Sequence, residues 1–333
     1  MRGVGGSLEE QLSIKNPMLL VGIGGAGSKI ATAASAAIEC KCLLISNDRK
    51  HLVHNERCAA IFVDCGEWVN PSSYKLRSFV QAHRKEIAAA MSGYSTVLVV
   101  SNLAGRAGAA IAPLVCKMAK DSTDDTTVIC MAIMPFRYES DRIFNAGTAL
   151  RRLREVSDST IVVDNDAFLD NNPELSQEEC FTITNSAMVE IISSIPTGVV
   201  RPAINILSTS RTSPSPESSL RDSLAMLYGA IPDASTIKSA MIYVMGGGRV
   251  AIGELNRIVS CIRGIFREDH ALDVGITSSM ASSNGVRVHL VATAPQKTRF
   301  DRYDPLGEII PDALDWDEPD SAPDLKLAIP AIE

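Results

Sequence analysis

The stretch Leu19-Leu20-Val21-Gly22-Ile23-Gly24-Gly25-Ala26-Gly27 decides how this chain folds. An apolar strand end runs into a glycine-rich turn, and an alanine-rich helical sequence, Ser28 to Ile38, follows at once. A strand, a glycine turn and a helix together direct free backbone N–H groups and a helix N-terminus at a phosphate. The glycine spacing also fits the G-x-G-x-x-G pattern of dinucleotide-binding loops. The stretch therefore indicates either a nucleotide-phosphate loop or a tight strand-to-helix turn.

The composition is that of a soluble globular protein. The 333 residues suffice for two domains, and 46% of them are hydrophobic. The net charge of −7 argues against a protein that binds nucleic acid by neutralising phosphates. No apolar run approaches the roughly 20 residues of a membrane span, and residues 1–16 lack the apolar core of a signal peptide. We therefore expect a cytoplasmic protein with no direct membrane insertion.

The eight cysteines are scattered along the chain, and no C-x-x-C pair or His-Cys cluster occurs. This pattern is typical of free thiols in a reducing compartment. The sequence gives no indication of a metal site.

Apolar β-branched runs alternate with helical patterns through the first half of the chain. Such an alternation predicts a parallel sheet that is covered by helices on both faces. Residues 70–91 are predicted to form one helix with Leu76, Val80, His83, Ile87 and Met91 on one face, where His83 is interpreted as a core or surface histidine rather than a ligand. Further strands are predicted at 41–45, 59–63, 96–101, 126–134 and 160–163, and further helices end near residue 120 and span 141–155.

The second half begins with a long helix, about residues 175–195, which is predicted to pack between two domains. A helix at 217–230, a strand at 237–245 and a helix at 251–266 follow. Asn284-Gly285 separates two strand-like runs, 271–280 and 286–294, and this dipeptide predicts a hairpin. Beyond Pro295 the chain is acidic and rich in proline, which is typical of disorder.

In their order, these motifs resemble the tubulin/FtsZ family, and FtsZ more than tubulin. Gly22 to Gly27 is similar to the first phosphate loop of that family, and Ser46-Asn47-Asp48 to its Asn-Thr-Asp. Ser101 to Pro113 aligns without gaps on the segment that carries the hallmark Gly-Gly-Gly-Thr-Gly-Thr-Gly. Pro135-Phe136-Arg137-Tyr138-Glu139 resembles Pro-Phe-x-Phe-Glu, and Val163-Asp164-Asn165-Asp166 resembles Pro-Asn-Asp.

The resemblance implies a bound guanine nucleotide, GDP or GTP. Arg142 falls at the family's ribose-side arginine, Phe181 at its base-stacking phenylalanine and Asn185 at its base-reading asparagine. The nucleotide site implied in this way comprises Gly22, Gly24, Gly25, Ala26, Gly27, Asn47, Gly105, Arg106, Ala107, Gly108, Glu139, Arg142, Asn165, Phe181 and Asn185.

The chain also departs from the family. The hallmark loop has Arg106 in place of a glycine, and alanines stand where the family has threonines. Because a residue with a side chain resists positive φ, we expect this loop not to wrap a triphosphate. Asn205 to Ser210 matches the family's catalytic loop but lacks both of its aspartates. No catalytic residue is therefore assigned and Mg²⁺ is not expected, although Asp222 or Asp233 could replace the missing carboxylates.

The fold expected from the resemblance is an α/β protein with a Rossmann-like, parallel-sheet GTPase domain. Its expected parts are a flexible N-terminus (1–16), the nucleotide-binding domain (17–174), the core helix (175–195), a smaller C-terminal α/β domain (196–295) and a disordered acidic tail (296–333). The implied function is that of an FtsZ-like division or cytoskeletal protein, either a filament component or a regulator of a division polymer, with little or no GTP hydrolysis. Expected partners are the chain itself or a true FtsZ, and a division or membrane-tethering protein that binds the terminal residues Leu327, Ile329, Pro330 and Ile332.

Two other functions remain open on the sequence alone. Asp48 follows Gly27 by about 20 residues, as the ribose-binding acid of an NAD-dependent oxidoreductase does. The second Gly/Ala loop and the terminal Ile-Pro-Ala count against that enzyme, and the second domain shows no convincing acid/base pair around His270 or His289. A nucleotide-free structural scaffold is the other alternative. A Ser-His-Asp hydrolase is poorly supported, since no G-x-S-x-G motif occurs.

Overall fold

A computed structural model describes residues 11–303 apart from residues 54, 69, 124, 198–199, 232, 247–249, 266–270, 278–284 and 294–297. The described strands are β1 (Met18–Ile23), β2 (Lys41–Ser46), β3 (Cys58–Phe62), β4 (Thr96–Asn102), β5 (Thr127–Ile133), β6 (Ser159–Val163), β7 (Ala203–Thr209), β8 (Ser239–Met245), β9 (Ala271–Thr277) and β10 (Arg287–Thr293). They form one sheet in the order β3-β2-β1-β4-β5-β6-β7-β10-β8-β9. The first seven strands of this order are parallel, and β10 runs antiparallel to both of its neighbours.

Helices connect the strands. Within the described residues they are α1 (Gly24–Ile38), α2 (Ser73–Ala82), α3 (Arg84–Met91), α4 (Arg106–Ser122), α5 (Ser140–Val156), α6 (Asn165–Asn171), α7 (Gln177–Ser194), α8 (Pro216–Ala230) and α9 (Ile252–Ile265). Short 3₁₀ turns occur at Arg49–His51, Ile195–Thr197, Ala234–Thr236 and Arg299–Tyr303. The mainly parallel sheet with intervening helices confirms the α/β fold that the sequence predicts.

The sheet has an apolar core on each face because neighbouring strand residues point to opposite sides. Leu20 lies in the core that α1 and α7 cover, whereas Val21 lies in the core that α4, α5 and α8 cover. Both residues are fully buried. The near-continuous apolar character of the parallel strands follows from this two-sided burial.

The predicted helix at 70–91 is two helices. Its apolar face is confirmed, since Leu76, Val80, Ile87 and Met91 are all 1% exposed or less. The chain bends at His83, which ends α2 and precedes α3. The half-buried His83 side chain has a partner at this bend, because its Nδ1 lies 3.0 Å from a carboxylate oxygen of Glu86.

The segment matched to a catalytic loop, Asn205 to Ser210, is instead mostly the interior strand β7. It pairs with β6 on one side and β10 on the other. Asn205 is buried, donates from Nδ2 to Ser159 Oγ at 2.9 Å and accepts from Thr293 Oγ1 at 2.7 Å. The loop prediction was wrong because the polar side chains of this run find hydrogen-bond partners inside the sheet.

The hairpin predicted at Asn284-Gly285 is also wrong. β9 pairs with β8 in parallel, and β10 lies between β7 and β8, so β9 and β10 are not neighbours. The physical reason is burial: Val288, Leu290 and Ala292 of β10 are fully buried, and an interior position satisfies both edges of such an apolar strand.

The sheet runs continuously from the first half of the chain into the second. The division into a nucleotide-binding domain, a core helix and a C-terminal domain therefore stays a prediction. Residues 304–333, with the predicted terminal recognition cluster, lie outside the described residues. In the described ranges, no helix combines the length and the apolar character that a membrane span requires.

Candidate functional site

A cleft of about 570 Å³ lies at the carboxyl ends of β1, β2 and β4. The first turns of α1 and α4, the turn after β2 and residues Asn70 and Pro71 surround it. Carboxyl ends of parallel strands meet at one edge of a sheet, which is where ligands of such folds bind. Of the predicted site residues, this cleft brings together Gly24, Gly25, Ala26, Asn47, Gly105, Arg106, Ala107 and Gly108.

Two of the predicted glycines serve packing rather than the cleft. A Cβ on Gly27 would lie 2.3 Å from the carbonyl oxygen of Val100 in β4. A Cβ on Gly22 would lie 2.7 Å from the carbonyl oxygen of Gly27. Both glycines are therefore required because α1 crosses the strands at close range.

The glycine turn before α1 is shorter than the sequence predicts. The helix begins at Gly24, not at Ser28, and Gly24 has a φ of +66° that favours glycine. A Cβ on Gly25 would lie 2.9 Å from His51 Nε2. The imidazole of His51 thus rests on the helix N-terminus, and its Nδ1 lies 3.1 Å from Ser46 Oγ.

Arg106 is the first residue of α4 rather than part of a strained loop. Gly105 precedes it with extended backbone (φ −82°, ψ 139°), and Arg106 does not have a positive φ. The arginine therefore fits this backbone without the strain that we expected. Its Nη2 donates to Asn70 Oδ1 at 2.7 Å, and this bond closes one side of the cleft. A Cβ on Gly108 would lie 1.9 Å from the carbonyl oxygen of Asn102, so this glycine also serves close packing.

Cationic side chains dominate the cleft. Arg49, Lys50 and Arg106 line it, together with His51 and one carboxylate, Asp48. Asp48 Oδ1 accepts from the backbone N–H of Lys50 at 2.9 Å and so fixes the turn that carries these cations. Positive side chains beside two helix N-termini favour an anionic ligand.

A second cleft of about 550 Å³ adjoins the first, because Gly105 and Arg106 line both. Arg142 lines this second cleft, and its Nη1 pairs with Glu139 Oε1 at 2.5 Å. The other oxygen of Glu139 accepts from the backbone N–H of Phe136 at 3.1 Å. The two predicted ribose-side residues are thus paired with each other near the carboxyl end of β5.

The three predicted base-side residues lie on α6 and α7, and they line neither cleft. Phe181 and Asn185 are one turn apart on α7, and the Phe181 ring packs against Phe136 with centroids 5.4 Å apart. Asp164 caps α6 by accepting from the N–H groups of residues 166 and 167, which makes the buried Asn165 the first residue of that helix.

The side-chain oxygens of Asn165, Asn172 and Asn185 share one feature. Each is buried and accepts no hydrogen bond from the described residues. Such an orphaned acceptor costs about 1–3 kcal/mol, and buried polar groups of native proteins are rarely left in this state. N–H donors of a ligand would satisfy the two that the family resemblance implies, Asn165 and Asn185.

An ion-pair cluster that the sequence did not reveal lies next to Asn165, one of the residues predicted to contact the base. Arg299 Nη2 lies 2.5 Å from Asp164 Oδ2, although the two residues are 135 positions apart. Burial raises the pKa of Asp164 to about 6, and the nearby Arg299 partly opposes that rise. Asp166 joins the cluster by accepting from the backbone N–H of Arg137 at 2.6 Å.

His289 also has partners that the sequence did not reveal. Its Nε2 lies 2.7 Å from Glu190 Oε2, and its Nδ1 lies 2.9 Å from Thr209 Oγ1. Thr209, His289 and Glu190 are thus hydrogen-bonded in the order of the nucleophile, base and carboxylate of a catalytic triad. Because His289 and Thr209 are fully buried, it joins α7 to the sheet and offers no surface to a substrate.

Elsewhere in the described ranges, no group of three or more His, Cys, Asp or Glu side chains is placed to hold a metal ion. The described cysteines are free, and burial raises the pKa of Cys180 to about 12.

Comparison with known proteins identifies relatives of this arrangement. Residues 17–173 match the family model of the tubulin/FtsZ family GTPase domain. Cell division protein FtsZ 1 of Halobacterium salinarum is 27% identical over 283 residues, which are 76% of this chain and 70% of that protein.

Solved structures share the fold. An empty FtsZ dimer from M. jannaschii superposes with a TM-score of 0.69 at 19% identity, covering 85% of this chain and 89% of that one. CetZ2 from Haloferax volcanii, solved as a GTPγS-bound protofilament, gives a TM-score of 0.65 at 18% identity and covers 86% of this chain and 97% of that one. At these identities the structural likeness shows the fold alone.

Proposed function

Because the chain belongs to the tubulin/FtsZ family, we propose that it is an FtsZ-like division protein that holds a guanine nucleotide, prefers the diphosphate, and hydrolyses little or no GTP. The observation that carries the guanine assignment is the pair of orphaned oxygens on Asn165 and Asn185. The Watson–Crick edge of guanine offers two neighbouring donors, N1–H and N2–H₂, to such acceptors. Phe181, one turn before Asn185, provides an apolar face for a base.

The cationic cleft supports the diphosphate part of the proposal. The N–H groups in the first turn of α1 need no particular side chain to bind phosphate. Arg106 adds a positive charge at the N-terminus of α4, and His51 lies against the N-terminus of α1. These features suit a nucleotide whose α- and β-phosphates occupy the cleft.

Loss of hydrolysis rests on what the chain lacks at the matched positions. Ala107 and Ala109 stand where the family has threonines, so they offer no hydroxyl to a terminal phosphate or to Mg²⁺. Leu207 and Ser210, in the matched catalytic segment, are fully buried, so that segment supplies no carboxylate to a neighbouring subunit. Phosphoryl transfer depends almost wholly on positioning and electrostatics, and one lost group commonly costs about 10²–10³ in rate.

Two carboxylates could in principle take over the missing role. Asp222 is half-buried on α8 and lies 3.6 Å from Arg211, and Asp233 accepts from the N–H of Ser235 at 3.0 Å. Both already have partners, which supports an inactive site.

We propose that the protein assembles with copies of itself or with a true FtsZ, and that the terminal residues Leu327, Ile329, Pro330 and Ile332 bind a division or membrane-tethering protein.

The experiment that tests this function measures nucleotide content, affinity and turnover on one preparation. Nucleotide released by denaturation is identified, and calorimetry compares GDP, GTP and NADH. We expect a guanine nucleotide, tighter binding of GDP than of GTP, and no binding of NADH. Tight NADH binding without GDP binding would instead favour an oxidoreductase that uses Asp48 on the ribose, and no binding at all would leave a nucleotide-free scaffold.

Phosphate release at high protein concentration tests the inactive site. We expect background rates for the wild type and for Arg106→Ala and Asp222→Ala. Sustained turnover that Asp222→Ala abolishes would show that Asp222 supplies the missing carboxylate.

A further inference from the structure

A third cleft, of about 540 Å³, lies between α8 and α9, far along the sheet from the candidate nucleotide site. Leu220, Leu224 and Ile258 form its apolar floor, and each is 9% exposed or less. Tyr228 stands at one end with 41% of its surface exposed. The floor suits a large apolar side chain.

The rim of this cleft has a net positive charge, because Arg221 and Arg257 line it together with one carboxylate, Glu217. Arg257 is 72% exposed, and its Nη1 lies 3.8 Å from Glu217 Oε1. A docking segment that fits both rim and floor would combine an aromatic side chain with acidic neighbours. Fully exposed ion pairs contribute little to affinity, so the aromatic side chain would supply most of it.

The chain itself contains such a segment. Residues 304–333 hold nine of the 39 acidic residues but one of the 32 basic residues. Within them, Trp316 stands between Asp315 and Asp317, and Glu318 follows. Trp316 and Trp68 are the two tryptophans of the chain.

The last described residues contact the end of α8 that carries the cleft residue Tyr228. Arg299 Nη1 donates to the carbonyl oxygen of Gly229 at 3.5 Å, and Gly229 follows the cleft residue Tyr228. Tyr303 is held in place by an edge-to-face contact with Phe300, with ring centroids 5.7 Å apart. From Tyr303 to Trp316 the chain has 13 residues, a length that spans about 20 Å on average. A tether of this kind keeps its segment near the cleft at a millimolar effective concentration, so even a weak contact is occupied.

We propose that the cleft between α8 and α9 is the docking site of residues 312–318 of the same chain, with Trp316 on the apolar floor and its acidic neighbours against Arg221 and Arg257. The tether and the charge match favour this segment over a second copy of the protein. The assignment does not depend on nucleotide binding, and it is separate from the role proposed for the terminal residues 327–332.

Tryptophan fluorescence of the full-length chain tests the proposal. Trp68 is half-exposed under Lys75, and Trp68→Phe leaves Trp316 as the reporter. We expect Trp316 to emit at shorter wavelength, and to be less accessible to acrylamide, than in a free peptide of residues 310–320. Charge reversal at the rim, Arg257→Glu, and filling of the cleft, Ala225→Glu, should each return the emission to that of the peptide.

Lys85→Glu, a charge reversal on the exposed surface of α3, is the matched control and should leave the emission unchanged. Circular dichroism checks that each variant is folded, and Arg257 is exposed enough that its replacement does not disturb the core. Emission identical to that of the free peptide in the Trp68→Phe protein would overturn the proposal, as would a shift that both cleft variants retain. A shift that disappears on dilution would also overturn it, because the cleft would then bind the segment of another molecule.

Discussion

Two glycines in the first turn of α1 should respond differently to the same substitution. Gly27→Ala places a methyl carbon 2.3 Å from the carbonyl oxygen of Val100, which belongs to the central strand β4 and cannot yield. Gly25→Ala places it 2.9–3.3 Å from the imidazole of His51, a side chain that can rotate away. The structure therefore separates a packing glycine from a glycine of the cleft, although both belong to one motif.

The magnitudes follow from these contacts. Overpacking a rigid core costs about 1–3 kcal/mol and occasionally more, while alanine gains up to about 1 kcal/mol over glycine in a helix. We expect Gly27→Ala to lose about 2–3 kcal/mol of stability, which lowers the melting temperature by roughly 3–4 °C, because the unfolding entropy of 333 residues is about 0.7 kcal/mol/K. Gly25→Ala should melt within about 1 °C of the wild type, because the helical gain offsets the displacement of His51.

Thermal melting by circular dichroism measures the first effect, and calorimetry with GDP measures the second. Gly25→Ala should bind GDP at least about tenfold more weakly despite its stability, since the methyl group displaces the His51 imidazole beside the helix N-terminus where the phosphate would bind. A Gly27→Ala protein as stable as the wild type would refute the packing argument. A Gly25→Ala protein that melts as early as Gly27→Ala would show that His51 is fixed in place.

Two further predictions concern the base side. Burial raises the pKa of Asp164 from its ordinary 3.8 to about 6. Between these two values the folded protein keeps a proton that the unfolded chain releases. The free energy of unfolding should therefore fall by up to about 3 kcal/mol as the pH rises from 4 to 6. Asp164→Asn keeps a capping oxygen but removes this titration, so urea unfolding should show a smaller decline across that window, and parallel curves would contradict the assignment. Asn185→Leu removes an orphaned acceptor, and the ligand-free protein should gain about 1 kcal/mol while GDP binding weakens at least about tenfold. Unchanged GDP binding in Asn185→Leu would exclude Asn185 from base recognition.

The sequence predicted those parts of the fold that depend on local patterns. Apolar β-branched runs such as Thr96–Asn102, bounded by glycine turns, identified the parallel strands, and their order placed the cleft at the carboxyl edge of the sheet. The apolar face of 70–91 was visible from its spacing alone. The bend at His83 was not, because it depends on how α2 and α3 each pack on α4.

What the sequence missed depends on distant partners. β7 was matched to the family's catalytic loop through the motif resemblance, yet Asn205, Ser208 and Thr209 are buried in the sheet. Asn205 and Thr209 have side-chain partners 46 to 88 residues away. The pairing of Arg299 with Asp164 joins the end of the described chain to its middle, and no local pattern marks it. Such contacts become visible once the topology brings the partners together.

The glycines that suggested a nucleotide at first are weaker evidence for one than the asparagines. Gly22, Gly27 and Gly108 are each required by close backbone contacts, so packing would retain them in a protein that binds nothing. Packing gives no reason to bury an acceptor without a donor, and the side-chain oxygens of Asn165 on α6 and Asn185 on α7 are each buried in this way. A hydrophobic residue at either position would stabilise a ligand-free fold. The unpaired amide oxygens therefore favour an occupied guanine site over a scaffold, even though the phosphate loop has lost its hydroxyls.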